Sequence, residues 1–332
     1  EWYPQSAIQL TWPHAETDWS PFISEATNCF IEIAREISKR QKLLVVCKDL
    51  LKTKRDLKDC NQENIIFSLQ DSNDTWARDH GAITVFTEEV PTILDFGFNG
   101  WGEKYTSDKD NQITRFLFTF EIFREKAKYE NHLDFILEGG SIESDGKGTI
   151  LTTSSCLLSE TRNKTLSKEG VEQYLKNSLG AKRILWLDHG QLVGDDTDGH
   201  IDTLARFCDE NTIAYVKCDD AQDEHFDELI KMEDELRKFR TLEEKPYNLI
   251  SLPMAEPVYL KGERLPANYA NFLIINRAVL LPFYGTIKDA EAQSILQSVF
   301  PNREIIGINC SSLIKQGGSL HCLTMQYPEG VL

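Results

Sequence analysis

The chain carries no surplus of basic residues. Its 36 lysines and arginines stand against 53 aspartates and glutamates, a net charge of −17 with a pI near 4.9. It therefore offers no cationic surface for nucleic acid or an anionic membrane, and it mildly favours cationic ligands. Long hydrophobic runs are also missing, since no stretch approaches the ~18 apolar residues of a membrane span. The first residues, EWYPQSAIQLTWPHAETDW, contain no basic segment followed by an apolar one, which reads as a soluble, unexported chain. A leader removed upstream is left open. The eight cysteines, at 29, 47, 60, 156, 208, 218, 310 and 322, include no C-x-x-C pair and no zinc-ligand spacing. That argues against a disulfide framework and for reduced thiols in the cytoplasm. No Pro/Gly/Ser-rich linker divides the chain, and the Gly-rich phosphate loop expected of a doubly wound dinucleotide-binding sheet is absent.

What is present is enough for a packed core: 41% of residues are hydrophobic and 27% charged. Short apolar strands are expected at residues 8–12, 42–47, 65–69, 82–86, 92–96, 148–152, 183–187, 212–217, 248–253, 271–275, 278–282 and 304–308. Amphipathic helices are expected at 21–39, 168–179, 225–239 and 288–299. In the first of these Phe22, Ala26, Cys29, Phe30, Ile33 and Ile37 share one face. Four helices among many strands suggest repeated strand-strand-helix-strand units.

Four clusters carry chemistry. Gly317-Gly318-Ser319-Leu320-His321-Cys322 is a turn that lets backbone approach a ligand closely and presents one thiol just beyond it. Alone, such a cysteine is more often a small buried hydrophobe. In GDDTDGHID, His200 and Asp202 stand two apart, a spacing that puts both on one face of a strand. Asp195, Asp196 and Asp198 crowd the approach, and no closing glutamate supports an EF-hand reading. A metal held by His200, Asp202 and a distant thiol would be chemically mixed. In NDTWARDHG, Asp79 lies between Arg78 and His80; in LEGGS, Glu138 ends an apolar run and opens a tight turn. His321 adjoins the candidate nucleophile, but neighbours in an extended segment point opposite ways, so its expected role is structural.

Taken together, WARD, LEGGS, DTDGHID and GGSLHC, supported by LDFGFNGWGEKY, TSSCLLSETRN and LPANYANFLI, resemble the agmatine deiminases and Porphyromonas-type peptidylarginine deiminases of the guanidino-group-modifying superfamily. The resemblance covers essentially the whole chain. It implies the pentein fold, an α/β five-bladed propeller of pseudo-fivefold ββαβ repeats, forming one catalytic domain over residues 1–332 with its cleft on the pseudo-axis. It also implies no metal and no organic cofactor. Carried over by motif, Cys322 is the nucleophile, His200 the general acid/base, Glu138 the carboxylate supporting it, and Asp79 with Asp202 the pair gripping a guanidinium. Trp76 and Trp101 are expected to wall the cleft, Asp196 to meet the far end of the substrate, and Arg78 to brace the site. The implied partner is a small cationic guanidino compound. The leading expectation is hydrolysis of agmatine to N-carbamoylputrescine, a step of putrescine and polyamine metabolism. Release of citrulline from free or peptidyl arginine is the alternative, amidino transfer a more distant one, and a non-catalytic pentein the reading from another class. Homo-oligomerisation is left open.

Overall fold

The computed structural model describes residues 1–332. Its dominant motif is one arrangement used five times: an antiparallel strand pair, then a helix, then a third strand parallel to the second. The helix is required, because a parallel neighbour cannot be reached by a tight turn. The sheets contain Ile83–Thr87, Val90–Gly97 and Lys128–Ile136; Ile142–Ser144, Thr149–Thr153 and Arg183–Leu187; Ala205–Asp209, Thr212–Lys217 and Asn248–Pro253; and Leu273–Ile275, Ala278–Phe283 and Glu304–Asn309. The remaining sheet, the first in chain order with those above as the second to fifth, is ordered Thr324–Pro328, Gln5–Thr11, Lys42–Cys47, Ile65–Leu69, so the last strand of the chain lies antiparallel to the first.

Helix Ile23–Ser38 illustrates the local logic. Ala26, Cys29, Phe30, Ile33, Ala34 and Ile37 recur every three or four residues, and all are buried. Helix Lys168–Leu179 starts where Ser167 accepts from the Gly170 amide and stops at Gly180, whose φ of 69° is left-handed. The main core unites the first, fourth and fifth sheets through residues such as Ile8, Phe30, Val45, Phe207, Ile213 and Leu280. Smaller cores join the first sheet to the second around Leu44, Ile93 and Leu117, and the second to the third around Leu94, Phe135 and Leu175.

Among the elements absent from the expected strands and helices, three have a plain physical cause. Helix Asp110–Thr119 buries only Asp110, Ile113, Thr114 and Leu117, too narrow and too polar a stripe to stand out. Strand Lys128–Ile136 is largely solvent-facing and rich in charge. Strand Ala205–Asp209 buries Arg206, a residue that disguises a core strand. No helix is long and apolar enough to cross a membrane.

The repeat positions the chemistry. Ahead of the leading strand in four of the five units stands a turn carrying candidate residues: Asp79 before Ile83–Thr87, Glu138 before Ile142–Ser144, His200 and Asp202 before Ala205–Asp209, and Cys322 before Thr324–Pro328. The short helical turn Gly139–Ser141 neighbours both Ala77–His80 and Ile201–Thr203 in space.

Candidate active site

All five residues expected to carry chemistry are buried, and they converge. One backbone position measures the convergence: a Cβ added to Gly140 would stand 2.7 Å from His200 Nδ1, 2.8 Å from Asp79 Oδ1 and 3.2 Å from Asp202 Oδ2. Only glycine lets the main chain pass so close to three polar groups. The Gly140 amide donates to Asp79 Oδ1 at 3.0 Å, and Trp101 Nε1 donates to Asp79 Oδ2 at 2.9 Å. Trp101 has a left-handed backbone, φ 56°, between two glycines at 66° and 89°. This strained conformation brings the indole to the carboxylate. Trp76 packs against Trp19 with ring centroids 5.6 Å apart and presses on Gly318, where a Cβ would lie 2.3 Å from its ring.

Asp202 holds its two oxygens differently. Oδ2 accepts from His321 Nδ1 at 2.7 Å and lies 3.5 Å from Cys322 Sγ, while Oδ1 is buried with no partner. Both ring nitrogens of His200 are likewise unpartnered, with Nδ1 3.6 Å from Asp79 Oδ1. Glu138 does not bond to His200. Both its oxygens accept from Arg162 Nε at 3.0 Å, and Arg162 continues to Asp198 at 2.6 Å and to the Thr197 carbonyl at 2.8 Å. The glutamate thus anchors the His200 loop through an arginine.

Two expectations change. His200 and Asp202 lie not on a strand but at the start and middle of the 3-10 turn Ile201–Thr203. His321 lies in a turn rather than an extended segment, so its side chain and that of Cys322 both reach Asp202. His321 Nε2 meets Glu1 and Arg206 on the far side, and Arg206 also pairs with Glu143. Arg78 faces Glu1 at 3.2 Å in the same network, which agrees with a bracing role. Asp196, Trp76 and Trp101 line the mouth together with Tyr105, Asp18 and Asp74. Asp196 accepts from the Tyr105 hydroxyl at 3.1 Å. Residues the sequence reading passed over are Arg162, Asn271 and the bonded side of His321. All three lie in stretches that carried the resemblance, but no spacing singles them out.

Burial and charge set the protonation states. Burial pushes Asp79 up to about 6, with His200 opposing and Asp202 reinforcing the shift. Burial would lower His200, but Asp79 and then Cys156 and Glu138 lift it well above the ordinary imidazole range. Asp202 ends below the usual carboxylate value: burial would raise it, and His321, His200 and Arg206 outweigh that. Burial, then the charges of Asp202 and Asp79, push the Cys322 thiol well up. At neutral pH Asp79 and Asp202 are therefore carboxylates, His200 an imidazolium and Cys322 a thiol.

Two trios have ligand atoms close enough to share a metal ion, Glu138–Cys156–His200 and Glu1–Glu143–His321. In each a guanidinium already bonds the carboxylates, Arg162 in the first and Arg206 in the second. A metal ion would have to displace it against charge repulsion.

The family described as Porphyromonas-type peptidyl-arginine deiminase matches residues 1–328. The chain belongs to that family. Among solved structures, a Porphyromonas gingivalis protein provisionally assigned as an arginine deiminase is 51% identical with a TM-score of 0.97, covering 100% of this chain and 98% of its own. A substrate-bound variant of the C. jejuni agmatine deiminase is 40% identical with a TM-score of 0.93, covering 100% and 96%. The agmatine deiminase of Pseudomonas aeruginosa is 30% identical over 99% of this chain and 94% of its own. This peptidyl-arginine deiminase family member thus has the α/β fold and the guanidino-modifying kinship its motifs indicated.

Proposed function

We propose that the chain, acting as one catalytic domain over residues 1–332, hydrolyses the guanidinium of agmatine to N-carbamoylputrescine and ammonia through a covalent intermediate on Cys322. The observation that carries this reading is Asp202 Oδ1, a buried carboxylate oxygen with no partner, beside Asp79, a thiol and an imidazole. Burying such an oxygen is costly unless a cation comes to it. A planar guanidinium fits, with one N–H edge toward Asp202 and another toward Asp79.

The chemistry then follows from the protonation states. The bound cation offsets the two carboxylates that hold the Cys322 proton on, so the thiol releases its proton to solvent as the substrate seats. Sulfur attacks the central carbon, and the C–N bond to one terminal nitrogen breaks. His200, protonated at rest, gives that nitrogen its proton, and ammonia leaves. The neutral imidazole takes a proton from the incoming water, whose oxygen bonds to carbon as the C–S bond breaks. The remaining hydroxyl proton passes to the departing sulfur, which leaves the neutral ureido product and the resting thiol. Glu138 acts through Arg162 and the loop bearing His200.

Agmatine is favoured by the mouth. Asp18, Asp74 and Asp196 line it, and no lysine or arginine does, so a distal ammonium is welcome and the carboxylate of free arginine is not. Trp76 and Trp101 flank the methylene chain. The alternative, arginine or peptidyl-arginine, draws on the family description and the Porphyromonas gingivalis relative. Parallel assays of ammonia and ureido product from agmatine, arginine and an arginine peptide test the choice. Agmatine should give the highest kcat/KM, and a preference for either arginine substrate overturns it.

A further inference from the structure

The repeat raises a question about its remaining unit. Four of the lead-in turns supply Asp79, Glu138, His200 with Asp202, and Cys322. The fifth, ahead of Leu273–Ile275, places Asn271 at the corresponding position, two residues before its strand as Cys322 is before Thr324–Pro328. Asn271 is fully buried, and its carboxamide is committed at both ends. Oδ1 accepts from the backbone amides of His321 at 2.8 Å and Cys322 at 3.3 Å. Two amide donors on one atom identify it as the oxygen, so the other end is the NH2 group. That group donates to Cys322 Sγ at 3.2 Å and to the Asp202 carbonyl at 3.4 Å.

We propose that Asn271 is a further catalytic residue of this site, the hydrogen-bond donor that receives Cys322 Sγ when it becomes a thiolate. The inference rests on the reading of Cys322 as nucleophile. As a thiol, Cys322 donates to Asp202 Oδ2 or Asn271 Oδ1, both 3.5 Å from sulfur. As a thiolate it has no proton to give and repels both oxygens. The one side-chain donor bonded to sulfur is then Asn271 Nδ2. The turn holding the nucleophile also fixes the orientation of that donor, through the amides of residues 321 and 322. Loss of the proton thus ends the donation from sulfur and leaves the existing Nδ2 bond facing a charged acceptor, without side-chain rearrangement. Asn271 opposes the upward push of burial, Asp202 and Asp79 on the thiol.

The test is the pH dependence of iodoacetamide alkylation at Cys322, followed on its peptide by mass spectrometry, in the full chain and in Asn271→Ala and Asn271→Asp. A lost hydrogen bond to a charged group should cut the thiolate fraction roughly tenfold or more, moving the alkylation midpoint up by about one pH unit. With the best guanidino substrate, kcat should fall at least about tenfold while KM stays within about twofold. Asn271→Asp keeps the oxygen that braces the turn, so near-normal alkylation and kcat in that variant would make Asn271 a brace alone and overturn the proposal. Should neither variant fold, NMR of the unsubstituted chain decides: the Asn271 side-chain amide resonance should titrate with Cys322 and stay fixed in Cys322→Ala, and an amide that ignores the titration overturns the proposal. Since alkylation needs no substrate, an altered alkylation profile in a protein inactive on every guanidino compound would refute the proposed function while leaving the Asn271–sulfur contact standing.

Discussion

Asp79→Asn separates stability from function, and the pH dependence of its effect can be worked out. The carboxyl of Asp79 sits at about 6 in the folded chain against an ordinary 3.8, chiefly through burial. A carboxylate with a raised folded pKa binds more protons folded than unfolded between those two values, so it makes stability fall as pH rises across that window. Two units at about 1.36 kcal/mol each give about 3 kcal/mol lost between pH ~4 and ~6, and little further change above. Asparagine does not titrate. The absolute effect at one pH also includes the amide facing Gly140 or Trp101 with a donor instead of an acceptor, so the difference in slope is the clean quantity. Asp74 and Asp95, also raised to about 6, are common to both proteins and cancel. His200, which Asp79 lifts well above its ordinary 6.5, adds its own loss of stability only as pH rises past that value, so the Asp79 contribution is read between pH 4 and 6. Urea unfolding of both proteins from pH 4 to 7 gives the difference curve. Unmodified protein should lose about 3 kcal/mol relative to the variant over that span, while the variant loses ~2–5 kcal/mol of transition-state stabilisation. A flat difference curve would refute the claim that Asp79 is held at a cost for the cation it receives.

His321→Ala removes the donor that orients Asp202 and should lower kcat/KM for the preferred guanidino substrate by ~10- to 100-fold, as expected for a bond to a buried charge. His321→Asn, whose amide can occupy the Nδ1 position, should recover most of it, and equal defects in both variants would contradict a positioning role. Arg162→Met leaves Glu138 buried and unpaired, so unfolding free energy should fall by ~3–5 kcal/mol in denaturant titrations. Gly140→Ala drives a methyl into His200, Asp79 and Asp202 and should reduce kcat/KM by 10²-fold or more, on the order of the cost of a 1 Å misplacement in a catalytic site; normal kinetics in that variant would mean the three groups do not share one reacting centre.

Much of this site is legible in the sequence because its turns announce themselves. Gly139-Gly140 and Gly317-Gly318 mark places where the main chain must run close to other groups, and Glu138 and Cys322 stand beside them. The repeat is legible where strands carry an apolar run, as in Lys42–Cys47 and Thr212–Lys217. It fades where a unit spends its pattern on other tasks. Arg206 occupies a core strand because it ties Glu1, Glu143 and His321 together, and nothing in ARFCD announces those distant partners. Asn271 is silent for the same reason: its meaning comes from the backbone of residues 321 and 322, fifty positions away in sequence. The bond of His321 to Asp202 is hidden from the sequence because the chain turns at residues 320–323, where an extended segment would point neighbouring side chains apart.

The central claim is that one thiol, gated by two carboxylates, bonds to the carbon of a guanidinium. Mass spectrometry of the chain quenched during turnover of agmatine tests it directly. The account predicts an amidino adduct of agmatine, less one ammonia, on the peptide bearing Cys322, and neither adduct nor turnover in Cys322→Ala. Continued hydrolysis by that variant, or an adduct on any of the other seven cysteines in its place, would contradict it.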